Sequence, residues 1–234
     1  STDGGGAIYC YSADPIIKNS SISSNTTDHS GGALYLDNSY MTLIGNTITD
    51  NSASEYGGAI IAEYSDPLMI NNTISDNYAE LYGGALHLSN TYGLFMNNTI
   101  SGNQCNWDGG ALSFDSSSPY FDGNTLSSNS STFSGGAIVA FSSDFDLNSN
   151  TLSNNSAGNH GGAIYYESSY PVIEGNDFIA NTAGLDGGAI YIINGSSQLN
   201  NNSITQNNAS QLGGGIYAKS SDLYLTSNII SNNT

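Results

Sequence analysis

The residues of this chain that could perform acid–base or metal chemistry are carboxylates, because basic side chains are almost absent. The 234 residues include 20 Asp and Glu but only two Lys and three His, giving a formal net charge of −18. A polysaccharide-active hydrolase needs two or three clustered carboxylates. The best candidate group is Asp122, Asp144 and Asp146, which could instead form a weak Ca²⁺ site. No His joins this group, so we expect a solvated acidic face rather than an active site. We expect the chain to have neither a cofactor nor enzymatic activity.

The negative charge also bears on which partners the chain can have. Binding to nucleic acid or to anionic membranes relies on Lys and Arg, and no apolar run is long enough to span a bilayer. We therefore expect neither nucleic-acid binding nor membrane insertion. A composition rich in Asn, Ser, Thr, Gly and Tyr favours an extracellular or cell-surface location. Two sequons at predicted turns, Asn194 and Asn208, are the candidate glycosylation sites.

One short motif reveals the elements that must position these groups. A Gly-Gly pair recurs every 26 residues without insertion or deletion, nine times in all. The pairs begin at Gly5, Gly31, Gly57, Gly83, Gly109, Gly135, Gly161, Gly187 and Gly213. Each pair precedes Ala or Gly and then Ile or Leu, as in "GGAIY", and two further apolar columns follow within the same repeat. Internal repetition of this length is the mark of a stacked architecture.

Each repeat contains three short apolar segments that alternate with polar residues, which is the pattern of β-strands. Clusters of Ser, Asn, Asp and Gly separate the segments and indicate turns. A single repeat cannot bury its own apolar face and must stack on its neighbours. The sequence therefore predicts an all-β, single-domain parallel β-helix over residues 1–234, with nine coils and three strands per coil. At ~4.8 Å per coil, the rod would be roughly 43 Å long.

Two columns of Asn run through the repeats on the predicted inner side. One contains Asn25, Asn51, Asn77, Asn103, Asn129, Asn155, Asn181, Asn207 and Asn233. The other contains Asn46, Asn72, Asn98, Asn124, Asn150, Asn176, Asn202 and Asn228. Amides stacked one coil apart can hydrogen-bond in ladders. We interpret both columns as structural, because buried polar groups at corners require partners.

The motifs resemble a known repeat. "GGAL" at Gly31–Leu34 and "GGAI" at Gly187–Ile190, each followed downstream by segments such as "FIAN" at Phe178–Asn181, look like the passenger repeat of the polymorphic outer-membrane proteins, an autotransporter adhesin family. The resemblance covers the whole chain. It implies a right-handed parallel β-helix that is secreted or displayed on a surface, is often adhesive and usually lacks enzymatic activity.

Three outward-facing sets of residues are candidate contact surfaces. The first is a row of Tyr that could stack on sugar rings or pack at protein interfaces: Tyr9, Tyr35, Tyr165, Tyr191 and Tyr217. The second is a Thr/Ser array, exemplified by Thr47 and Thr49, that is similar to the face of solenoid ice-binding proteins. The third is an apolar patch confined to the first four coils, which predicts an interface: Ile16, Ile44, Leu68, Ile70, Leu94 and Met96.

The sequence therefore favours a non-enzymatic extracellular solenoid with a structural and adhesive role. The length of 234 residues equals nine repeats, and Thr234 is followed in register by the position that Ser1 occupies. We expect head-to-tail association into a filament, or an excerpt of a longer surface stalk, with the chain itself as the main partner and surface glycans as further partners. The alternatives are a glycan- or ice-binding module and, less favoured, a polysaccharide-active enzyme.

Overall fold

The computed structural model describes residues 4–234, in which the repeats fold into a parallel β-helix. Ser1, used above for the end-to-end register, lies outside the described residues. Equivalent strands of successive coils pair in parallel and in register, so that Leu86 lies between Ile60 and Leu112. This pairing confirms the stacked coils predicted from the repeat. Within residues 4–234 the strands form four sheets, named A to D in the order in which the chain enters them.

The strand bounds show how evenly the repeat is maintained. Sheet A contains Ile8–Tyr11, Leu34–Asp37, Ile60–Glu63, Leu86–Ser89, Leu112–Asp115, Ile138–Phe141, Ile164–Glu167, Ile190–Ile193 and Ile216–Lys219. Sheet B contains Ile16–Lys18, Thr42–Ile44, Leu68–Ile70, Leu94–Met96, Tyr120–Asp122, Asp146–Asn148, Val172–Glu174, Ser196–Asn200 and Asp222–Thr226. Sheet C contains Ser21–Ser23, Thr47–Thr49, Thr73–Ser75, Thr99–Ser101, Thr125–Ser127, Thr151–Ser153, Asp177–Ile179, Ser203–Thr205 and Ile229–Ser231. Sheet D contains Thr26–Thr27, Ser52–Ala53, Tyr78–Ala79, Gln104–Cys105, Ser130–Ser131, Ser156–Ala157, Thr182–Ala183 and Asn208–Ala209.

The prediction of three strands per coil was wrong, because sheet D adds a fourth strand to eight of the nine coils within residues 4–234. Each sheet D strand is two residues long and sends one small side chain inward, such as Ala79 or Cys105. Sequence alternation cannot reveal so short a strand, since a period of two needs several residues to be seen. The apolar columns predicted three strands, and those are the strands of sheets A, B and C.

The core lies inside the coils and is built from the inward residues of the predicted columns. Phe95 and Phe121 stack one coil apart with ring centroids 4.3 Å apart and an interplanar angle of 3°. Phe114 and Phe145 pack beside them from sheet A and from the corner before sheet B. All four aromatic side chains are fully buried. Stacking of like residues therefore fills the interior along the axis, as close packing of a protein core requires.

The corners of each coil use backbone conformations that few residues tolerate. A residue with positive φ follows the strands of sheets A, B and C, and most of these residues are Asn, Ser, Asp or Gly. Of these four residue types, Gly, Asn and Asp tolerate this region best. The Gly-Gly pair is a tight corner of this kind. Gly57 has a φ of +61°, and a Cβ on Gly58 would overlap the carbonyl oxygen of Gly84 in the next coil. The recurrence of Gly-Gly thus has a steric cause in both residues.

The two Asn columns form continuous hydrogen-bond ladders, as predicted. The amide oxygen of Asn103 accepts bonds from the backbone N–H and the side-chain Nδ2 of Asn77, at 3.0 and 2.9 Å. The side-chain Nδ2 of Asn103 donates to the carbonyl of Ile74 at 3.1 Å and to Oδ1 of Asn129 at 3.0 Å. A third ladder, of hydroxyl groups, was not predicted from the sequence: Ser39 donates its backbone N–H to Oγ of Ser65 at 2.9 Å, and the same bond recurs in later coils.

Candidate functional site

The predicted apolar patch lies on the outer face of sheet B. Ile16 is 65% exposed and Leu94 is 37% exposed, whereas the others are half-buried, because each side chain is flanked by its neighbours in adjacent coils. The register brings Leu68 against Leu94, and Ile70 against Ile44 and Met96. The five residues from Ile44 to Met96 therefore form one continuous surface, whereas Thr42 separates Ile16 from Leu68. The same columns become mostly polar from Asp122 onward, although Val172 and Tyr224 also belong to them.

The Tyr row lies on the outer face of sheet A and is divided into two stacks. Tyr9 and Tyr35 stack at 4.9 Å, and Tyr191 stacks at 5.2 Å on Tyr165 and at 4.9 Å on Tyr217. Each ring therefore covers a face of its neighbour. Tyr9 is exposed, but the prediction of an exposed face was wrong at Tyr191, which is buried because His160 also packs against its ring at 4.5 Å. The candidate ligand face is thus two separate stacks, and a different surface lies between them.

Between the two Tyr stacks, sheet A carries a cavity of about 390 Å³. This volume is in the range of small-molecule sites, roughly 300–1,000 Å³. The cavity exists because the Tyr row is interrupted by smaller side chains in the middle coils, including His87 and Ser113. Its lining residues are Tyr56, Glu63, Tyr82, His87, Ser89, Ser113, Asp115 and Phe141.

One wall of the cavity is aromatic. Tyr56 and Tyr82, from the corners that precede the Gly-Gly pairs, stack on each other at 5.8 Å. Tyr56 also covers the imidazole of His87 at 5.0 Å. Phe141, the last residue of its sheet A strand, stands perpendicular to Tyr82, at 89° and 6.2 Å. The rings of Tyr82 and Phe141 thus form a corner of aromatic surface that borders the cavity.

The sheet A column that Phe141 continues is polar and acidic in the three preceding coils. Glu63, Ser89 and Asp115 are the last residues of three successive sheet A strands and lie in register, so they are spaced by about one coil, ~4.8 Å. The phenol of Tyr35 donates a hydrogen bond to Glu63. Asp115 is exposed at the rim. Two carboxylates therefore face a cavity whose lining, within the described residues, includes no Lys or Arg.

His87 lies beneath this cavity and is only 9% exposed. Burial lowers the pKa of its imidazole to about 4, although the charge of Asp115 opposes the shift. The ring is therefore neutral at neutral pH. Its Nδ1 atom is buried and has no hydrogen-bond partner within the part of the chain that the structure describes. A buried polar nitrogen without a partner is costly and requires an explanation.

A family comparison agrees with this architecture. The family model for the right-handed β-helix region matches residues 1–126 and 82–234. The chain belongs to the right-handed β-helix family. No curated protein matches the chain, and no solved structure matches it. The family model covers right-handed β-helices in general, so the narrower resemblance to outer-membrane passenger repeats stays a prediction.

The other sequence-predicted residues of this right-handed β-helix lie apart from the cavity. Asp122 and Asp146 are on sheet B. Asp144 lies two residues before Asp146, and its carboxylate accepts a hydrogen bond from the backbone N–H of Tyr170 at 2.9 Å. Burial raises the pKa of Asp146. Within residues 4–234, no three or more Asp, Glu, His or Cys side chains are grouped so that they could hold a metal ion. In the same residues, no helix is long and apolar enough to cross a membrane.

The two sequon candidates are both exposed, but only one lies at a turn. Asn194 follows a sheet A strand with a φ of 53°. Asn208 begins a sheet D strand instead, and its Oδ1 accepts a bond from the hydroxyl of Thr234 at 2.8 Å. The assignment of Asn208 to a turn was therefore wrong, because the fourth strand of the coil was not recognised. Thr47 and Thr49 of the Thr/Ser array point outward from sheet C, as predicted.

Sequence reasoning missed the cavity, although one signal was present. The outward column of sheet A changes from Tyr to Ile61, His87, Ser113 and Val139 in the middle coils. All four side chains are buried even though they point outward. Such an interruption indicates that something covers this part of the face, but the sequence does not show that Tyr56 and Tyr82 do so.

Proposed function

We propose that this right-handed β-helix is a non-enzymatic, extracellular rod with a structural and adhesive role, acting as a filament subunit or surface stalk. The observation that carries the proposal is the unbroken register of the coils. Each coil presents nearly the same strands and the same Asn ladders to the next one. A coil of one chain can therefore pair with a coil of another by the contacts that already join coils within the chain. What recurs along the axis is hydrogen-bonding architecture rather than a set of reactive groups.

Two further features support the adhesive part of the proposal. A net charge of −18 keeps a rod with long sheets soluble and separate until specific contacts form. The continuous apolar patch on sheet B gives the rod one side on which it can contact another surface or a second chain. In this proposal the ends of the rod serve growth and its sides serve adhesion.

The test is electron microscopy of the purified chain at neutral pH over a hundredfold concentration range. We expect straight rods with a repeat of ~4.8 Å along the axis, extending beyond the roughly 43 Å of nine coils. Because association depends on concentration, dilution should shorten the rods. Discrete particles of nine-coil length at every concentration would contradict the filament proposal. The native material should then be imaged, since a stalk would appear as rods of fixed length much greater than nine coils.

A further inference from the structure

We propose that the cavity on sheet A binds a ligand that carries an ammonium or guanidinium group. This binding function goes beyond the structural role of the rod and holds whether or not the chains associate. It rests on the size of the cavity, on its aromatic corner and on the two carboxylates that line it.

The aromatic corner favours a positive charge over a neutral one. The faces of aromatic rings carry negative charge density and attract cations within about 6 Å of the ring centre. Tyr82 and Phe141 are perpendicular, so a group in the corner between them meets aromatic surface on two sides.

The polar lining of the cavity favours a ligand that donates hydrogen bonds. Glu63 and Asp115 accept bonds when ionised and cannot donate them. The imidazole of His87, which also lines the cavity, is neutral at neutral pH and adds no positive charge that would repel such a ligand. Alkylammonium and guanidinium groups carry several N–H donors and no acceptor. Such a group therefore complements the aromatic corner and the acidic side of the cavity together.

The charge of the whole chain agrees with this choice. The net charge of −18 raises the local concentration of cations around the rod and repels uronates, sulfates and phosphates. A neutral sugar could also contact aromatic rings and carboxylates, but it would gain nothing from this field. The ammonium or guanidinium group can belong to a free amine or to the side chain of Lys or Arg in another protein, and separate probes distinguish these sources.

The experiment is isothermal titration calorimetry of the folded chain with four probes at pH 7. Cadaverine is the free diamine, and 1,5-pentanediol is its neutral match of the same length. The peptide acetyl-Gly-Lys-Gly-amide represents a protein side chain, and cellohexaose represents a neutral sugar. We expect saturable binding of at least one ammonium probe with a Kd between about 10 µM and 1 mM, and at least about tenfold weaker binding of the two neutral probes.

A polyanion also attracts amines that bind at no specific site. The key variants must therefore leave the net charge of the chain unchanged. Ser113→Tyr places in the cavity the residue that the same column uses at Tyr35 and Tyr165, so the fold should tolerate it. Tyr82→Ala removes one side of the aromatic corner. Each should weaken binding at least about tenfold, a loss of about 1.4 kcal/mol, whereas Tyr92→Ala, at an exposed site outside the cavity, should leave binding unchanged.

A second pair of variants tests the carboxylate and matches the change in charge. Asp115→Asn should weaken ammonium binding several-fold, and Asp177→Asn, exposed on sheet C, should not. In NMR spectra the imidazole signal of His87 should shift on titration. The proposal is overturned if no ammonium probe binds saturably, if Ser113→Tyr and Tyr82→Ala bind as well as the unmodified chain, or if pentanediol or cellohexaose binds as tightly. Thermal melts establish that each variant is folded, and Tyr82→Ala decides if Ser113→Tyr is not.

Discussion

The protonation of His87 is set by burial rather than by charge. Desolvation lowers the pKa of its imidazole to about 4 in the folded chain, from the usual value of about 6.5, while Asp115 opposes the shift. Between these values the unfolded chain binds a proton that the folded chain does not. The contribution of His87 to the free energy of unfolding therefore decreases as the pH falls from 6.5 to 4, by an amount that approaches about 3 kcal/mol.

A substitution isolates this contribution. His87→Gln removes the proton uptake, so the variant should lose less stability than the unmodified chain between pH 6.5 and pH 4, by up to about 3 kcal/mol. Urea unfolding at pH 7, 5.5 and 4 measures the difference. Comparison of the two chains is necessary because Asp108 acts in the opposite direction: burial raises the pKa of its carboxyl to about 6, so its contribution to stability rises as the pH falls. Parallel pH profiles for the two chains would contradict the prediction.

The Asn ladders make hydrogen bonding a property of the whole element rather than of one residue. Replacing Asn103 by Ala removes the acceptor for the backbone and side chain of Asn77 and the donor to Ile74. All three partners are buried, and a buried polar group without a partner costs about 1–3 kcal/mol. We expect Asn103→Ala to reduce the free energy of unfolding by about 2–4 kcal/mol, as measured by urea unfolding.

The matched control for this prediction is Asn148→Ala. Asn148 points outward from sheet B and is only half-buried. The same chemical change there should alter stability by less than about 0.5 kcal/mol. Equal effects of the two substitutions would show that the ladder contributes no more than an ordinary surface amide.

The elements that could be predicted from the sequence are those with enough residues to show a period. Sheets A, B and C have an inward apolar residue in every repeat, and the two Asn columns share their inward side. Sheet D offers only one small inward residue per strand, such as Ala79, and the hydroxyl ladder uses Ser residues that are equally common in turns. The cavity depends on Tyr56 folding from a corner over His87, which is tertiary packing and leaves no periodic signal.

At the scale of the whole molecule, three of the four sheets present outer faces with different chemistry. Sheet A carries the Tyr stacks and the cavity, sheet B carries the apolar patch, and sheet C carries the Thr/Ser array. The coils hold each face in place along the axis because every residue keeps its column. Contacts along the axis and contacts from the sides can therefore be disrupted separately, and this separation is the basis for a test of the patch.

Leu68→Asp places a charge in the middle of the apolar patch, on the outer face of sheet B. The side chain points away from the core, so the chain should fold with a change in stability of less than about 1 kcal/mol. Lateral association should be lost, because a charge desolvated at an apolar interface has no partner. Sedimentation velocity and electron microscopy should show single rods with unchanged axial growth. Gln198→Asp introduces a charge in the same column outside the patch and should leave association intact. If Gln198→Asp separates the rods equally well, net charge rather than the patch governs their lateral contacts.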